Sequence, residues 1–397
     1  MRANYLPFGA PNISQREIDA VARVMRSGWI GMGPETIEFE QELAAFTGAP
    51  HVVTVNSCTS ALFLSLLVHG VGPGSEVLCP SLTWCSTANA ARYLGATPVF
   101  CDVDPETLCV SAETIRRSLT ARTRAVIPVH FGGLTCDVAD LRAALPDTVA
   151  IVEDAAHAFG GRLPDGRRVG ASGDLTCFSF YANKNLSTAE GGAVALFDST
   201  IAHRLRSLRQ HGYSADAWTR FNQSNALLLS APLAELGYKM NYTDLQAAMG
   251  RVQLTRQEEF AERRVAIARC YAQALRELDP DIRLQRGVCD AGHARHLFVV
   301  LLPVEKLAID RNVFVRELRT RNIGAAVHYA PLHQMPLYGD TNTECRLPVT
   351  EDLAPRLVSL PMSASMSAAD AREVIEAFVE VYQTALASRG ARRGSRG

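Results

Sequence analysis

An acid and an amine, Asp154 and Lys184, each stand at or just past an apolar run the length of a β-strand. Asp154 closes Val149-Ala-Ile-Val-Glu-Asp154, and Lys184 follows the run Leu175 to Phe180 in the loop Tyr-Ala-Asn-Lys184-Asn-Leu-Ser-Thr-Ala-Glu190-Gly-Gly. Open α/β sheets bind ligands at the carboxyl ends of their strands, so both side chains are placed to face one site. A carboxylate and a lysine so placed suit pyridoxal phosphate. The lysine amine can condense with the cofactor aldehyde, and the carboxylate can keep the ring nitrogen protonated. An anion a few ångströms from a pyridinium favours the charged form by about one to three pKa units, about 1.4 to 4 kcal/mol, which decides protonation at neutral pH.

Such a cofactor also needs donors for a phosphate. Asn56-Ser57-Cys58-Thr59-Ser60-Ala61-Leu62 supplies hydroxyls and amides after the run His51 to Val55, where a helix should begin. Ser179, five residues before Lys184, is a second source, and Trp84 after the run Glu76 to Pro80 is the aromatic placed to stack on a ring. Taken singly each has a plainer reading: Asp154 as a helix cap, Lys184 as a surface lysine, Trp84 as core. Their joint placement after successive strands favours the site.

The elements that must hold these residues are seven short apolar runs, 51–55, 76–80, 96–103, 125–130, 149–154, 175–180 and 193–197. Helical spacing fills several gaps, at Ser60 to Leu67, Ser86 to Leu94 and Ala112 to Leu119. The alternation predicts an α/β fold with a mainly parallel sheet covered by helices on both faces. Thr243 can cap one long helix running to about Leu278, ended by Asp279-Pro280. A strand at His296 to Leu302, a helix at Arg311 to Arg321, a second run ending at Tyr329 and a helix at Ala368 to Ala387 predict a smaller α+β unit. The expected division is 1–250 for an N-terminal segment and large cofactor-binding domain, 251–390 for the linking helix and small domain, and 391–397 for a flexible basic tail.

Composition narrows the class. The 397 residues are 47% hydrophobic and 20% charged, and 40 Lys plus Arg balance 41 Asp plus Glu. No bulk field draws nucleic acid or an anionic membrane, no run is long enough to span a bilayer, and no signal peptide is visible. A cytoplasmic location is the expectation. The ten cysteines include no Cys-x-x-Cys pair and read as reduced, mostly buried thiols. His328 and His333 lack the neighbours of a metal site, and no metal is expected.

Longer motifs carry a family resemblance. They are Ser27-Gly-Trp-Ile-Gly-Met-Gly-Pro34, Pro80-Ser-Leu-Thr-Trp84, Gly95-Ala-Thr-Pro-Val-Phe-Cys-Asp-Val-Asp104, Glu153-Asp-Ala-Ala-His157, Phe178-Ser-Phe180, Lys184-Asn185, Ala189-Glu-Gly-Gly192, Gly237-Tyr-Lys-Met-Asn241 and Val327-His-Tyr-Ala-Pro-Leu-His333. From about Leu6 to Leu386 the chain resembles the DegT/DnrJ/EryC1/StrS family of sugar aminotransferases, which use pyridoxal phosphate on fold type I. The resemblance implies that Lys184 bonds the cofactor and Asp154 pairs with its ring nitrogen. It further implies that Cys58, Thr59 and Ser179 hold the phosphate, Trp84 stacks on the ring and His157 lies beside it. Asn241 reaches the neighbouring subunit's site, which implies a homodimer with shared active sites. His328 and Tyr329 fall near the substrate. Many members have Gly-Thr where this chain has Cys58-Thr59, but a backbone amide at 58 serves with any non-proline residue. Relatives with His in place of the lysine resemble dehydratases; Lys184 is present.

The resemblance implies transfer of an amino group from an amino acid, L-glutamate, to a nucleotide-linked keto sugar, with a 4-keto-6-deoxy hexose fitting the motifs best. A keto-cyclitol of the scyllo-inosose type is the alternative acceptor. A non-catalytic regulatory protein is the alternative class, disfavoured by the balanced charge and the intact lysine.

Overall fold

The seven runs become seven strands of one sheet, as the alternation predicts. In the computed structural model, residues 2–213, 233, 235–339 and 345–394 are described. The strands are β1 (His51–Val55), β2 (Glu76–Pro80), β3 (Thr97–Cys101), β4 (Thr123–Val126), β5 (Ala150–Asp154), β6 (Leu175–Ser179) and β7 (Gly192–Leu196), in the order β1-β7-β6-β5-β4-β2-β3. Only β7 runs against its neighbours. β4 ends earlier than the run 125–130 suggests, because Pro128 has no N–H to give the ladder; its carbonyl still accepts from the Asp154 amide at 2.9 Å.

Both faces of this sheet are apolar, and successive residues divide between them. Val52, Leu78, Ile151 and Phe178 pack on one side, against α2 (Pro34–Thr47), α5 (Ala112–Arg116) and α6 (Val138–Ala144). Val53, Val77, Val152 and Cys177 pack on the other, against α3 (Cys58–Val68), α4 (Cys85–Tyr93) and α7 (Ser199–Leu208). The period of two is that of a pleated strand, and burial on both faces explains why the runs read as continuous apolar stretches. The remaining N-terminal helix, α1 (Gln15–Ser27), lies across the next helix, α8 (Asp244–Thr255).

The predicted long helix is in fact two. Thr243 caps α8 with a reciprocal Gln246 bond as expected, but the helix stops at Thr255 and α9 starts at Gln257, ending at Leu278. Arg256 sits at the junction, its guanidinium held by Glu17 Oε1 at 2.8 Å and the Asn12 carbonyl at 3.1 Å and stacked over Phe260. Glu17 and Asn12 lie outside both helices and hold the side chain of the junction residue. The apolar stripe jumps from Val252 to Phe260 at the same place.

Beyond α9 a small antiparallel sheet has the order β10-β9-β8, from β8 (Arg283–Leu284), β9 (Phe298–Leu301) and β10 (Leu357–Leu360). Phe298 and Val300 face a core with α9, α10 (Arg311–Thr320) and the final helix, whereas Val299 and Leu301 join the core of the large sheet. The run ending at Tyr329 is not a strand; it makes a single bridge, Ala326 to Ser359, and then turns toward the large sheet. The final helix spans Ala368–Gly394, past the predicted end near Ala387 and into the segment expected to be a loose tail; 395–397 lie outside the described residues. All ten cysteines are free. Among the described residues no helix is long and apolar enough to cross a membrane.

Candidate active site

Five strands, β1, β2, β4, β5 and β6, deliver their C-terminal loops to the same end of the sheet. After β1, Ser57 caps α3 by accepting from the Ser60 amide at 3.1 Å. The first amides of a helix have no partner within it, so the N–H groups of Cys58 and Thr59 are left for an anion. Gly192 makes this turn possible, since a Cβ there would lie 2.6 Å from the Cys58 nitrogen. Thr83, Trp84 and Ser86 follow β2, Asp154 and His157 close β5, and Ser179, Tyr181, Asn183 and Lys184 close β6. Together with Ser57, Glu190, Gly191, His328 and Tyr329 they line one cavity of about 510 Å³.

Nine of the ten residues singled out from sequence thus meet in that cavity: Cys58, Thr59, Trp84, Asp154, His157, Ser179, Lys184, His328 and Tyr329. Asn241 does not. Its side chain donates to the Tyr242 carbonyl at 3.1 Å, and it is not among the cavity's lining residues.

At the cavity floor, Asp154 Oδ2 accepts from Thr87 Oγ1 at 2.8 Å and Oδ1 from the Ala156 amide at 3.2 Å. Thr87 is steadied by Thr83, hydroxyl to hydroxyl at 2.9 Å. Burial pushes the Asp154 carboxyl up, against the pull of those donors and of the Lys184 charge. Burial also draws the Lys184 amine down to about 8, with the Asp154 charge opposing. Lys184 Nζ lies 3.3 Å from His296 Nε2. His157 Nε2 meets the Tyr329 hydroxyl at 3.1 Å, and burial followed by the Lys184 charge keeps its imidazole neutral. Ser179 Oγ accepts from the Tyr181 amide at 3.4 Å.

Trp84 and Tyr181 are 61% and 47% exposed, which puts both rings at the cavity rim. Trp84 lies 5.9 Å from the Tyr329 ring. His328 Nδ1 bonds Ser359 Oγ at 2.9 Å, while His333 Nδ1 bonds Ser81 Oγ at 2.7 Å, so the two imidazoles are held by different partners.

Sequence reasoning missed Thr83, Thr87, Tyr181, Asn183 and His296. Tyr181 and Asn183 flank the lysine in its own loop and were available to it. Thr83 and Thr87 are four apart at the start of a helix, a spacing that puts both on one face. His296 was read only as the start of a strand.

A model of the DegT/DnrJ/EryC1/StrS aminotransferase family matches residues 11–379. The chain belongs to that family. As a pyridoxal-phosphate-dependent transaminase of fold type I, it is 41% identical over 388 residues to the spore coat polysaccharide biosynthesis protein SpsC of Bacillus subtilis, covering 97% of this chain and 99% of SpsC. Among solved structures the transaminase is similar to the aminotransferase TlmJ of Streptoalloteichus hindustanus, with a TM-score of 0.87, 33% identity and coverage of 96% of this chain and 100% of TlmJ. It is also similar to Spr1654 of Streptococcus pneumoniae in its PMP-form, with a TM-score of 0.87, 30% identity and coverage of 96% and 100%.

The transaminase's own cavity fits its cofactor. It offers unspent helix amides for a phosphate, a carboxyl that burial has raised and a cation would restore, and an amine that burial has already pushed toward neutrality. The buried His157 Nδ1 has no partner, leaving a polar atom for a ligand on that wall.

Proposed function

We propose that this transaminase moves an amino group from L-glutamate to a nucleotide-linked keto sugar, a 4-keto-6-deoxy hexose, in amino-sugar biosynthesis in the cytoplasm. The observation that carries the reading is the pairing of a desolvated amine, Lys184, with a carboxylate floor, Asp154, beneath a rim of exposed aromatic rings. Aromatic faces suit sugar rings and bases, and the relative SpsC is named for polysaccharide biosynthesis, which supports a sugar acceptor.

Pyridoxal phosphate, when bound, supplies an aldehyde carbon for amine exchange and a ring that takes up the electron pair released at the donor's α-carbon. The Cys58 and Thr59 amides and the Ser179 hydroxyl hold its phosphate. Asp154 holds the proton on its ring nitrogen, and Thr87 keeps that carboxylate aimed. Trp84 covers the ring, and His157, neutral and anchored by Tyr329, packs beside it. Lys184 would bond the cofactor at rest. Once displaced, its Nζ would move a proton from the donor's α-carbon to the cofactor's former aldehyde carbon and, with the acceptor, one from that carbon to the acceptor's former carbonyl carbon. An amine titrating near 8 is suited to both tasks at neutral pH. His328 and Tyr329 line the side from which the acceptor enters.

We further propose a homodimer in which Asn241 completes the neighbouring site; its position outside its own cavity supports this. Purified holoenzyme incubated with glutamate and, in turn, 4-keto and 3-keto nucleotide sugars and scyllo-inosose tests the reading by mass identification of the amine. The 4-amino sugar nucleotide is expected. Turnover confined to the cyclitol would overturn the sugar assignment.

A further inference from the structure

His296 is 3% exposed and belongs to no functional motif, yet its Nε2 lies 3.3 Å from Lys184 Nζ. The backbone that aims it there is unusual. Arg295, the residue before it, has a φ of 51°, a left-handed conformation that a non-glycine residue keeps only when its surroundings impose it. They do so from several directions. The Ala294 amide donates to Gly133 O at 2.8 Å and the Leu297 amide to Gly132 O at 3.0 Å. Asn185, next to the lysine, donates to Ala294 O at 2.8 Å, and Arg264 of α9 donates to Arg295 O at 3.1 Å. The loop that bears Lys184 therefore clamps the turn that bears His296.

The His296 ring packs against His157 at a tilt of 35°, centroids 4.5 Å apart, and its Nδ1 is buried without a partner. Opposite a neutral amine, that orphan favours one tautomer. A proton on Nδ1 would leave a buried N–H with no acceptor, whereas a proton on Nε2 leaves only a lone pair unsatisfied and points the N–H at the lysine. The titratable groups facing this pair are Asp154 and Cys58 around Lys184, and His157, His328 and Arg264 around His296. Burial, then the Lys184 charge, holds His296 far below its ordinary value.

We propose that His296 is a positioning residue for Lys184, donating from Nε2–H to the lone pair of the free amine and keeping it neutral and aimed into the cavity while it serves as base. This rests on the role given to Lys184 above, and concerns no property of the sugar.

The chain has three lysines, Lys184, Lys239 and Lys306, so the cofactor-free full chain labelled with ¹³C at lysine Cε can be titrated by NMR residue by residue. Lys184→Met assigns the signal, and Lys239 and Lys306 report on folding. Loss of a hydrogen bond to the neutral amine should raise the Lys184 pKa, by about one unit in His296→Leu, and His296→Gln should recover most of that shift. An unchanged or lowered value in the leucine variant overturns the proposal. Should that variant not fold, ¹⁵N spectra of the histidines in the parent chain above pH 8, where the Lys184 amine is neutral, decide: the Nε2–H tautomer at His296 is expected, and the Nδ1–H tautomer overturns the proposal. Neither readout depends on cofactor attachment or turnover, so a failed sugar assay and a failed His296 assignment are distinguishable.

Discussion

Burial sets the protonation of Lys184 before any ligand arrives. Its amine titrates at about 8 in place of 10.5, so between those values the folded, cofactor-free chain holds fewer protons than the unfolded one. Stability therefore rises as pH climbs through that window, and the penalty for the desolvated ammonium is complete below it. Lys184→Met removes the penalty. In urea melts of cofactor-free protein the variant should be more stable than the parent by about 1–3 kcal/mol at neutral pH, with the gap closing by pH 10.5. A gap that does not change with pH would assign the gain to packing instead. Asp154 yields a graded pair at the same scale. Asp154→Asn removes the charge and should slow turnover about 10²- to 10³-fold, whereas Thr87→Val removes one donor to Oδ2 and should cost about three- to tenfold. Steady-state rates with glutamate check both; equal losses would mean that Thr87 does more than hold Asp154.

The elements are tied by a buried ion pair that no local pattern marks. Arg209, 2% exposed at the end of α7, contacts Glu40 of α2, and Glu40 Oε1 also accepts from the Thr54 amide of β1 at 2.9 Å. Burial alone would raise that carboxyl, but the charges of Arg209 and Arg206 hold it below its ordinary value. Glu40→Ala strands a buried guanidinium and should destabilise the fold by about 3–5 kcal/mol, read as a lowered urea midpoint at unchanged slope. A change under 1 kcal/mol would show that water reaches Arg209. Elements with strong local signals were legible in the sequence: all seven strands of the large sheet, because both faces are buried, and the Thr243 cap, because its Gln246 partner is three residues away. The break at Arg256 was not, since Glu17 and Asn12, which hold its side chain, are more than two hundred residues distant. β10 was missed for a related reason: Leu357–Leu360 is four residues long, and its pairing with β9 supplies what its own pattern lacks.

At the scale of the whole molecule, the sheet gathers into one cavity residues as far apart in the chain as Ser57 and Tyr329. That Lys184, Asp154 and the Ser57–Thr59 turn would meet was legible because each follows a strand, and strand order decides where a loop end goes. The places of Thr87 and His296 were not, because their contacts with Asp154 and Lys184 are made only in three dimensions. In the proposed homodimer, Asn241 would extend the same logic across the subunit boundary. Mixing Lys184→Ala with Asn241→Ala chains should restore about a quarter of parent activity, since about half the dimers are mixed and each mixed dimer has one intact site. Inactive mixtures that light scattering shows to contain exchanged dimers would confine each site to one chain.

The central claim is a covalent bond between Lys184 and pyridoxal phosphate. Borohydride reduction of the holoenzyme, followed by peptide mass analysis, tests it directly. The account predicts a phosphopyridoxyl group on the peptide containing Lys184 and none on Lys239 or Lys306; its absence, or its appearance on another lysine, would contradict it.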